Sequence, residues 1–553
     1  MGTPTSLVAR SLDDEETADA FEARVAAQAE LLREAIRSGE LDNEGFAVGL
    51  EMEVYAVEGM PTDNPGSGDE VDDAGWRGAL ARLPEAVFDA GATKELGLHN
   101  AEINTDPDVC SGEGLANQAA SIEADFEAAQ RAARAKDREL VLDAMWTIPP
   151  AEGSRAYLSD HDVEDGFVHA SNMRPDPRYF AIDNDVVRRV DGAIPFAVPG
   201  VDTTFPSILF ESLATSIQPH LQIPTAEAFP AYYNAGIRTL GPLLALATNS
   251  PFLPADLYED NDGAQGDAVA DPHDLVDATH HELRIAVFEQ SVNQSPHPKV
   301  RVPRDIEAAT DVVDRVVEDD RYAPFLREWI EDGAEEDIPS HEGISLEGNE
   351  SGDVDGPIAD QVWEFDYRRT TYWRWLRCVV GGDPVAGAGD ENSLRIEYRP
   401  LPTQPTVRDV VGLQAATAGL LRGLVAADHP LTELPWEAAE ESFYAAAEDG
   451  LDADLAWVTA DGERTNESDV IFDEVLEFAH RGLAESGVDR ADAEYYLDPI
   501  QARIDAGLTP SMWKKARVRE GLDDGLDLQS AIERMQREYI RRSRETGSFA
   551  EWL

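Results

Sequence analysis

Two carboxylates, Glu51 and Glu53, interrupt an apolar stretch of the sequence at residues 46–57. The pattern predicts a β-strand, and because residues two apart in a strand point to the same face, both carboxylates should face the same way. Two adjacent like charges cost free energy through repulsion and desolvation, and a divalent cation reverses that cost. The stretch therefore indicates a metal-binding strand, although a half-exposed edge strand with an acidic polar face fits the same pattern.

Two further stretches carry groups of related chemistry. The first places Glu95 and Glu102 on either side of a predicted turn, so a strand pair would bring both glutamates toward the first two. The second predicts an alternating strand at residues 215–223, where three polar side chains share one face: Gln218, His220 and Gln222. A lone strand histidine is more often a hydrogen-bonded structural residue than a ligand. Three polar side chains aimed the same way favour a site.

Basic residues are scarce in this sequence, so their positions are informative. Arg284 is followed by a dense basic cluster, Lys299, Arg301 and Arg304, which implies either a local anion or ordinary solvated surface charge. A later predicted strand presents cation, anion and cation along one face: Arg395, Glu397 and Arg399. That face is either a structural ion-pair ladder or one wall of a site for metals and a phosphorylated nucleotide.

Five short motifs follow one another along the chain. They are Gly-x-Glu-x-Glu at 49–53, Glu95 with Glu102, Gln-x-His-x-Gln at 218–222, Ala-x-Asn-Ser-Pro at 247–251 and Arg-x-Glu-x-Arg-Pro at 395–400. Each motif is weak alone, but in this order they resemble the glutamate–cysteine ligase type 2 family of carboxylate–amine ligases over about residues 40–425. The resemblance implies an α+β, glutamine-synthetase-like fold. In that fold a curved antiparallel sheet forms a funnel flanked by helices, here with a helical C-terminal extension.

The resemblance also implies a reaction and its residues. ATP phosphorylates a substrate carboxylate, and an amine displaces phosphate from the acyl phosphate. The residues implied to bind Mg²⁺ or Mn²⁺ are Glu51, Glu53, Glu95, Glu102, His220 and Glu397. Arg399 and Arg284 would neutralise the transferring phosphoryl group. The implied substrate- and nucleotide-binding residues are Gln218, Gln222, Asn249 and Arg395. The expected partners are a small-molecule amino acid and an amine, with glutamate plus cysteine as the best single choice, a step of glutathione biosynthesis.

Two other classes of function stay open. One is a metal-dependent amidase or hydrolase in which the carboxylates and His220 activate water. The other is a non-catalytic nucleotide- or metabolite-binding protein that keeps the fold. The sequence has no Walker-type glycine-rich loop and no dinucleotide fingerprint, which counts against two common nucleotide folds but not against this one.

The elements that position these residues follow from periodicity and breakers. Helices are expected at 15–38, 76–90, 115–140, 225–248, 407–426, 436–450, 470–486 and 528–544. Loops are expected at 60–75 and, around the substrate mouth, at 150–205. We expect a catalytic domain at 1–430 with a charged helical insertion at about 305–360, which ends in a loop at 343–356. A mostly helical region at 431–553, with a basic patch at 514–519, would complete the nucleotide site or form an oligomer interface.

Charge is the most unusual bulk property of the chain. The 110 Asp and Glu residues outnumber 45 Lys and Arg residues, giving a net charge of -65. Such a field repels nucleic acid and anionic membranes, so neither is an expected partner, and the aromatic–basic run at 365–375 is better suited to a phosphate or carboxylate pocket. Apolar residues occur throughout, so we infer adaptation to high salt rather than disorder. Two cysteines and no apolar run of spanning length favour a cytoplasmic protein.

Overall fold

A computed structural model describes residues 4–59, 76–258, 271–331, 358–382, 384–385, 387–389 and 392–553. The predicted loops at 60–75 and 343–356 lie outside these residues. The strands, numbered β1 to β14 in chain order, are Ala47–Glu58, Thr93–Lys94, Asn100–Asn104, Asp108–Val109, Arg138–Val141, His161–Glu164, Phe167–Ala170, Ile194–Val198, Val201–Phe205, Ile217–Ile223, Leu376–Val380, Leu394–Tyr398, Trp457–Val458 and Arg464–Thr465.

Helices account for most of the remaining chain. In chain order, α1 to α18 are Pro4–Asp13, Glu15–Ser38, Gly112–Arg134, Ser154–Ser159, Pro177–Arg189, Phe229–Ala247, Pro272–Ala278, Leu283–Val292, Thr310–Glu318, Glu328–Glu331, Ile358–Gln361, Trp363–Thr370, Val407–Ala426, Trp436–Asp449, Ser468–Glu485, Arg490–Ala506, Pro510–Asp523 and Leu528–Glu545. Short 3₁₀ turns lie at Glu85–Val87, Ile208–Leu213, Ala255–Tyr258, Pro430–Glu433, Gly450–Asp452 and Phe549–Trp552.

The main sheet is built around β1. Its strands run in the order β11-β12-β10-β1-β3-β2, and β4 and β5 pair with the two ends of β1. All of these pairs are antiparallel, so the curved antiparallel sheet flanked by helices is confirmed. Because strand side chains alternate, each strand contributes one row to an apolar face and one row to a polar face.

The apolar face of the sheet is covered by helices. On β1 it consists of Val48, Leu50, Met52 and Val54, all buried. The helices α3, α6 and α13 pack against the strands, and Gln414 of α13 donates a hydrogen bond to the carbonyl of Gly49. The most apolar window of α13 would suit a membrane span by length and composition, but 83% of it is buried, as in a core helix. The covering helices leave the polar face to form the site.

Three local expectations were wrong. Residues 76–90 are not a helix, because Gly78 has φ +68° and Leu80 pairs with Val57 of β1, leaving only a short 3₁₀ turn. The helix expected at 115–140 ends at Arg134, and the chain then enters β5 to pair with β1. The region at 150–205 is not a set of loops, since it contains α4, α5 and the hairpins β6–β7 and β8–β9.

The C-terminal helices share the core of the rest of the chain. One continuous apolar cluster extends from Leu7 to Trp552. The residues at 514–519 are not a basic surface patch, because Lys514 and Lys515 are buried in α17. Lys514 forms an ion pair with Asp143. Division of the chain at residue 430 stays a prediction.

Candidate active site

The polar face of the sheet brings distant parts of the sequence side by side. On β1, Glu51 lies opposite Gln218 of β10, and Glu53 lies opposite Glu102 of β3. His220 of β10 lies opposite a further carboxylate on β12, Glu397. Period-two alternation in four strands therefore gathers most of the residues that the motifs singled out.

Three of these residues form a group with the chemistry of a metal site. Ligand atoms of Glu51, His220 and Glu397 all lie within 4.8 Å of one another. Nε2 of His220 lies 2.9 Å from Oε1 of Glu51, without the alignment of a hydrogen bond. Both ring nitrogens of His220 and Oε2 of Glu51 are buried. None of these three atoms forms a hydrogen bond with another described residue. Buried polar atoms without partners, in a carboxylate–imidazole set, fit a divalent cation.

Glu397 is also the centre of an ion-pair ladder. Nε of Arg377 donates to its Oε2, and Nη1 of Arg399 donates to its Oε1. Arg399 also donates to Oε1 of Gln218 at 2.5 Å. Arg395 lies on the same face, where burial first and then Arg369 lower its pKa. The structure therefore contains the ion-pair ladder that was one of the two interpretations of this segment. Arg399 connects the ladder to the rest of the polar face through Gln218.

The carboxylate of Glu53 is held by donors from the protein. The backbone N–H of Ser216 donates to Oε2 at 2.7 Å, and the Ser216 hydroxyl donates to Oε1 at 2.9 Å. Nε2 of Gln218 approaches Oε1 at 3.4 Å. Burial raises the pKa of Glu53, while these donors and nearby Arg284 and Arg399 oppose the shift. Both oxygens of Glu53 thus have protein partners.

The pKa of Glu102 shows the electrostatic cost of placing several carboxylates close together on this face. Burial first, and then the like charges of Glu51, Glu95 and Glu53, hold the pKa of Glu102 well above its ordinary value. Asn104 donates to its Oε1 at 2.7 Å, which offsets only part of that effect. A bound cation would reverse the repulsion among these four carboxylates.

A cleft opens beside this acidic face and encloses about 780 Å³ of empty space, including its mouth. The sheet side contributes Glu53, Glu95, Glu102, Gln218 and Arg399. The opposite wall comes from α5, the 3₁₀ turn at Ile208–Leu213, α8, and the end of α12 with the segment that follows it. Its lining residues include Arg178, Tyr179, Ile182, Ile208, Glu211, Phe288, Val292, Thr370 and Trp373. An apolar cleft with a few charged groups is the usual form of a small-molecule site.

Two charged residues of this opposite wall were not found from the sequence. Arg178 is partly exposed, with its guanidinium 5.6 Å from the ring centroid of Tyr367, and it has no ion-pair partner among the described carboxylates. Burial first, then the charge of Glu53, raises the pKa of Glu211 to about 8. The only sequence signal for Glu211 was an isolated acid within the apolar stretch at residues 205–217.

The other predicted site residues lie deeper. Arg284 is buried, its Nε lies 3.6 Å from Glu282, and it donates to the carbonyl of Pro400. Glu282 accepts from the backbone N–H of Asn249 at 2.8 Å. The Asn249 side chain donates to Thr403 and Tyr539, and Lys514 donates to the Asn249 carbonyl, so Asn249 lies in a buried network. Gln222 is similarly buried and donates to backbone carbonyls of Gly45 and Ala388. Neither amide side chain lines the cleft.

The basic cluster around Lys299 is divided between interior and surface. Lys299 is fully buried and pairs with Asp319 at 2.5 Å, so its anion lies within the chain. Burial lowers the pKa of Lys299 to about 8. Arg304 is exposed, stacks over Trp436 and pairs with Glu437. These residues do not form one anion-binding site.

Comparison with known proteins identifies a family over most of the chain. The family model for glutamate–cysteine ligase family 2 matches residues 47–546, from the first residue of β1 to just beyond α18. The helices after residue 430 thus lie within the matched length, beyond the 40–425 covered by the sequence motifs.

Two solved structures show remote likeness. A glutamate–cysteine ligase from Francisella tularensis in complex with AMP is 12% identical, with coverage of 92% of this chain and 90% of that chain and a TM-score of 0.45. The complex between the prokaryotic ubiquitin-like protein Pup and its ligase PafA is 10% identical, with coverage of 90% and 74% and a TM-score of 0.35. No curated protein matches this sequence.

Proposed function

This chain belongs to glutamate–cysteine ligase family 2 and is a carboxylate–amine ligase, and from that premise we propose that it uses ATP to join glutamate to cysteine as γ-glutamylcysteine. The observation that carries the proposal is the position of Arg399. Its guanidinium contacts Glu397 of the three-ligand group and also lines the cleft. Arg399 thus lies between the three-ligand group and the cleft. A cation there suits a reaction that transfers a phosphoryl group from a metal-bound nucleotide to a substrate in the cleft.

The roles that we propose for these residues follow from their charges. Glu51, His220 and Glu397 would hold Mg²⁺ or Mn²⁺, with Glu53, Glu95 and Glu102 as the further acidic ligands of the proposal. A divalent ion in such a site supplies positive charge to the phosphate oxygens. Arg399 is placed to neutralise the phosphoryl group, and buried Arg284 contributes positive charge to the same region, as its coupling to Glu53, Arg399 and Glu211 indicates.

Substrate carboxylate and amine would meet in the cleft. Its apolar wall, formed by Ile208, Phe288, Val292 and Trp373, excludes water from a phosphorylated carboxylate that water would otherwise hydrolyse. Arg178 carries no ion-pair partner among the described carboxylates and lines the cleft, which supports a substrate with a carboxylate group. Gln218 and Arg395 stay proposed contacts to substrate or nucleotide.

The proposal is tested by measuring ADP release and amide product in molar KCl with Mg²⁺ or Mn²⁺. A ligase should release ADP at an appreciable rate only when glutamate and cysteine are both present, and mass spectrometry should detect γ-glutamylcysteine in equal amount. A metal-dependent amidase would need no ATP, and a binding protein would turn over neither substrate. ADP release with a different acid or amine would keep the ligase and reject this substrate pair.

A further inference from the structure

We propose that Glu211 receives the ammonium group of the amine substrate and so selects for amines that bind as cations. This inference rests on the proposed function. Glu211 lies in the 3₁₀ turn at Ile208–Leu213 and lines the cleft from the wall opposite the sheet. Neither the strand motifs nor the three-ligand group includes it.

The clearest support is the contrast between two carboxylates that line the same cleft. Glu53 has donors at both oxygens, from Ser216 and Gln218. No described residue donates a hydrogen bond to the carboxylate of Glu211. A partly buried carboxylate without donors is costly to maintain, and a ligand that brings its own N–H groups removes that cost. An ammonium group supplies both the donors and the opposite charge.

The surroundings of Glu211 strengthen a contact with a cation. Ile208, Phe288 and Val292 line the same cleft, on the wall opposite the sheet, and make that wall less polar. An ion pair with a ligand is worth more in such a setting than in water, since screening is weaker. The wall therefore offers one carboxyl group in an apolar surface, and a bound ammonium group would stabilise its ionised form. Such a wall suits an amine with a small apolar side chain.

The charges that act on Glu211 place this contact beside the proposed reacting groups. Glu211 interacts electrostatically with Glu53, Arg399 and Arg284. Arg399 lines the cleft and Arg284 supplies positive charge from deeper in the fold, both for the phosphoryl group, which leaves Glu211 to pair with the ammonium group of the bound amine. A role of Glu211 as a further metal ligand is less favoured. Within the described chain, the three-ligand group consists of Glu51, His220 and Glu397, which all lie on the sheet.

The test compares Glu211→Gln with the parent in molar KCl. At saturating glutamate and ATP, the KM for cysteine should rise at least about 10-fold, the loss expected for a hydrogen bond to a charged group. The KM values for glutamate, ATP and the metal should change less than about threefold. Glu289→Gln is the matched control: like Glu211, Glu289 is half-buried, and it lies on α8 next to Phe288, but its Oε1 already accepts from Trp375 and Tyr444. That control should leave the KM for cysteine unchanged.

A second nucleophile separates this inference from the proposed function. Hydroxylamine is uncharged at neutral pH and should trap the acyl phosphate without needing Glu211, so Glu211→Gln should form hydroxamate at nearly the parent rate. A parent that yields neither hydroxamate nor ADP would reject the ligase proposal. An active parent whose Glu211→Gln variant changes the KM for metal or glutamate instead, or leaves the KM for cysteine unchanged, overturns the role of Glu211. If Glu211→Gln does not fold, Glu211→Asp keeps the charge but shortens its reach, and it should raise the KM for cysteine while sparing the hydroxamate reaction.

Discussion

Glu51 and Glu53 are two residues apart on one strand, yet their carboxylates have different partners. Ser216 and Gln218 donate to both oxygens of Glu53, whereas Oε2 of Glu51 is buried without a donor from the described residues. A carboxylate whose oxygens already accept hydrogen bonds from the protein has fewer free lone pairs for a metal than a carboxylate without donors. Glu51 is therefore the carboxylate of this pair whose loss should affect metal binding most directly.

Glu51→Gln should abolish most turnover and weaken metal binding while leaving the fold intact. Removing one of several like charges relieves repulsion on Glu102, so the metal-free variant should melt no lower than the parent. The measurement is turnover against Mn²⁺ or Mg²⁺ concentration, with a thermal melt in the same salt. Glu58→Gln, at the exposed end of the same strand, is the control and should titrate like the parent. Parent activity of Glu51→Gln at limiting metal would contradict the metal assignment.

Arg399 directly follows β12, and Arg399→Lys tests whether this residue acts in catalysis or only in the structure. In a purely structural ladder the lysine keeps its charge beside Glu397, and the ladder still has Arg377 on the other oxygen. If Arg399 instead contacts the phosphoryl group, lysine cannot reproduce the planar two-pronged donor, and kcat should fall by at least roughly 100-fold. The melting temperature should change by only a few degrees.

Exposed Arg304→Lys controls for a general effect of replacing arginine and should leave kcat unchanged. An unaltered kcat in Arg399→Lys would remove Arg399 from the site. A collapse of its melting temperature would instead return the residue to a structural role.

Sequence patterns indicated the polar residues of the sheet wall one by one, but of the opposite wall they indicated only the run at 365–375, which contributes Thr370 and Trp373 to the cleft. Alternation placed Gln218 and His220 on one face of their strand, and Glu397 and Arg399 on one face of theirs, because the period of a strand is local information. Arg178 and Glu211 come from a helix and a 3₁₀ turn that meet the sheet only after the chain folds. Neither belongs to a motif, so their approach depends on tertiary packing that local periodicity does not encode.

At the scale of elements, α2 and α13 were predicted with their observed limits because both have local start signals. Asp14 accepts from the backbone N–H of Glu16, and Thr406 accepts from that of Asp409. The end of α3 was missed because it depends on a distant partner: Asp137 adopts φ +56°, and the following residues pair with β1. Helix formers alone would have continued the helix.

The contact between α13 and α15 depends on glycines rather than on side chains. A Cβ at Gly482 of α15 would lie 1.8 Å from the carbonyl oxygen of Gly419 and 2.5 Å from the backbone nitrogen of Gly423. The two backbones therefore approach so closely that larger residues do not fit. This contact attaches the C-terminal helices to the helix that covers the sheet.

Gly482→Ala should destabilise the protein despite the better helix propensity of alanine. Propensity favours alanine by about 1 kcal/mol, whereas forcing a Cβ into a backbone contact costs about 1–3 kcal/mol and here has no flexible neighbour to move. A lower melting temperature in molar KCl is the expected result. Gly112→Ala, at the start of α3, is the matched control because its Cβ would meet nothing nearer than 3.6 Å. Equal melting of both variants would contradict close packing of α13 on α15.

At the scale of the whole molecule, the interior is electrically balanced and the surface is not. Among the described residues, eleven Asp or Glu side chains and eleven Lys or Arg side chains are buried. Several form buried ion pairs, such as Arg503 with Asp409 at 3.1 Å. The net charge of -65 is therefore carried by residues other than these buried side chains. Self-repulsion of that magnitude opposes the compact state unless salt screens it.

Stability should therefore depend strongly on ionic strength. The screening length grows from roughly 3 Å at 1 M salt to roughly 10 Å at 0.1 M, so dilution lets surface carboxylates repel one another over larger distances. We expect the melting temperature to fall by at least several degrees, and activity to be lost, as KCl is lowered. Sucrose separates screening from general stabilisation, because it favours compact states without screening charge and should restore little of the loss. A melting temperature that stays constant from dilute buffer to molar KCl, or full recovery in sucrose, would show that charge repulsion does not limit this fold.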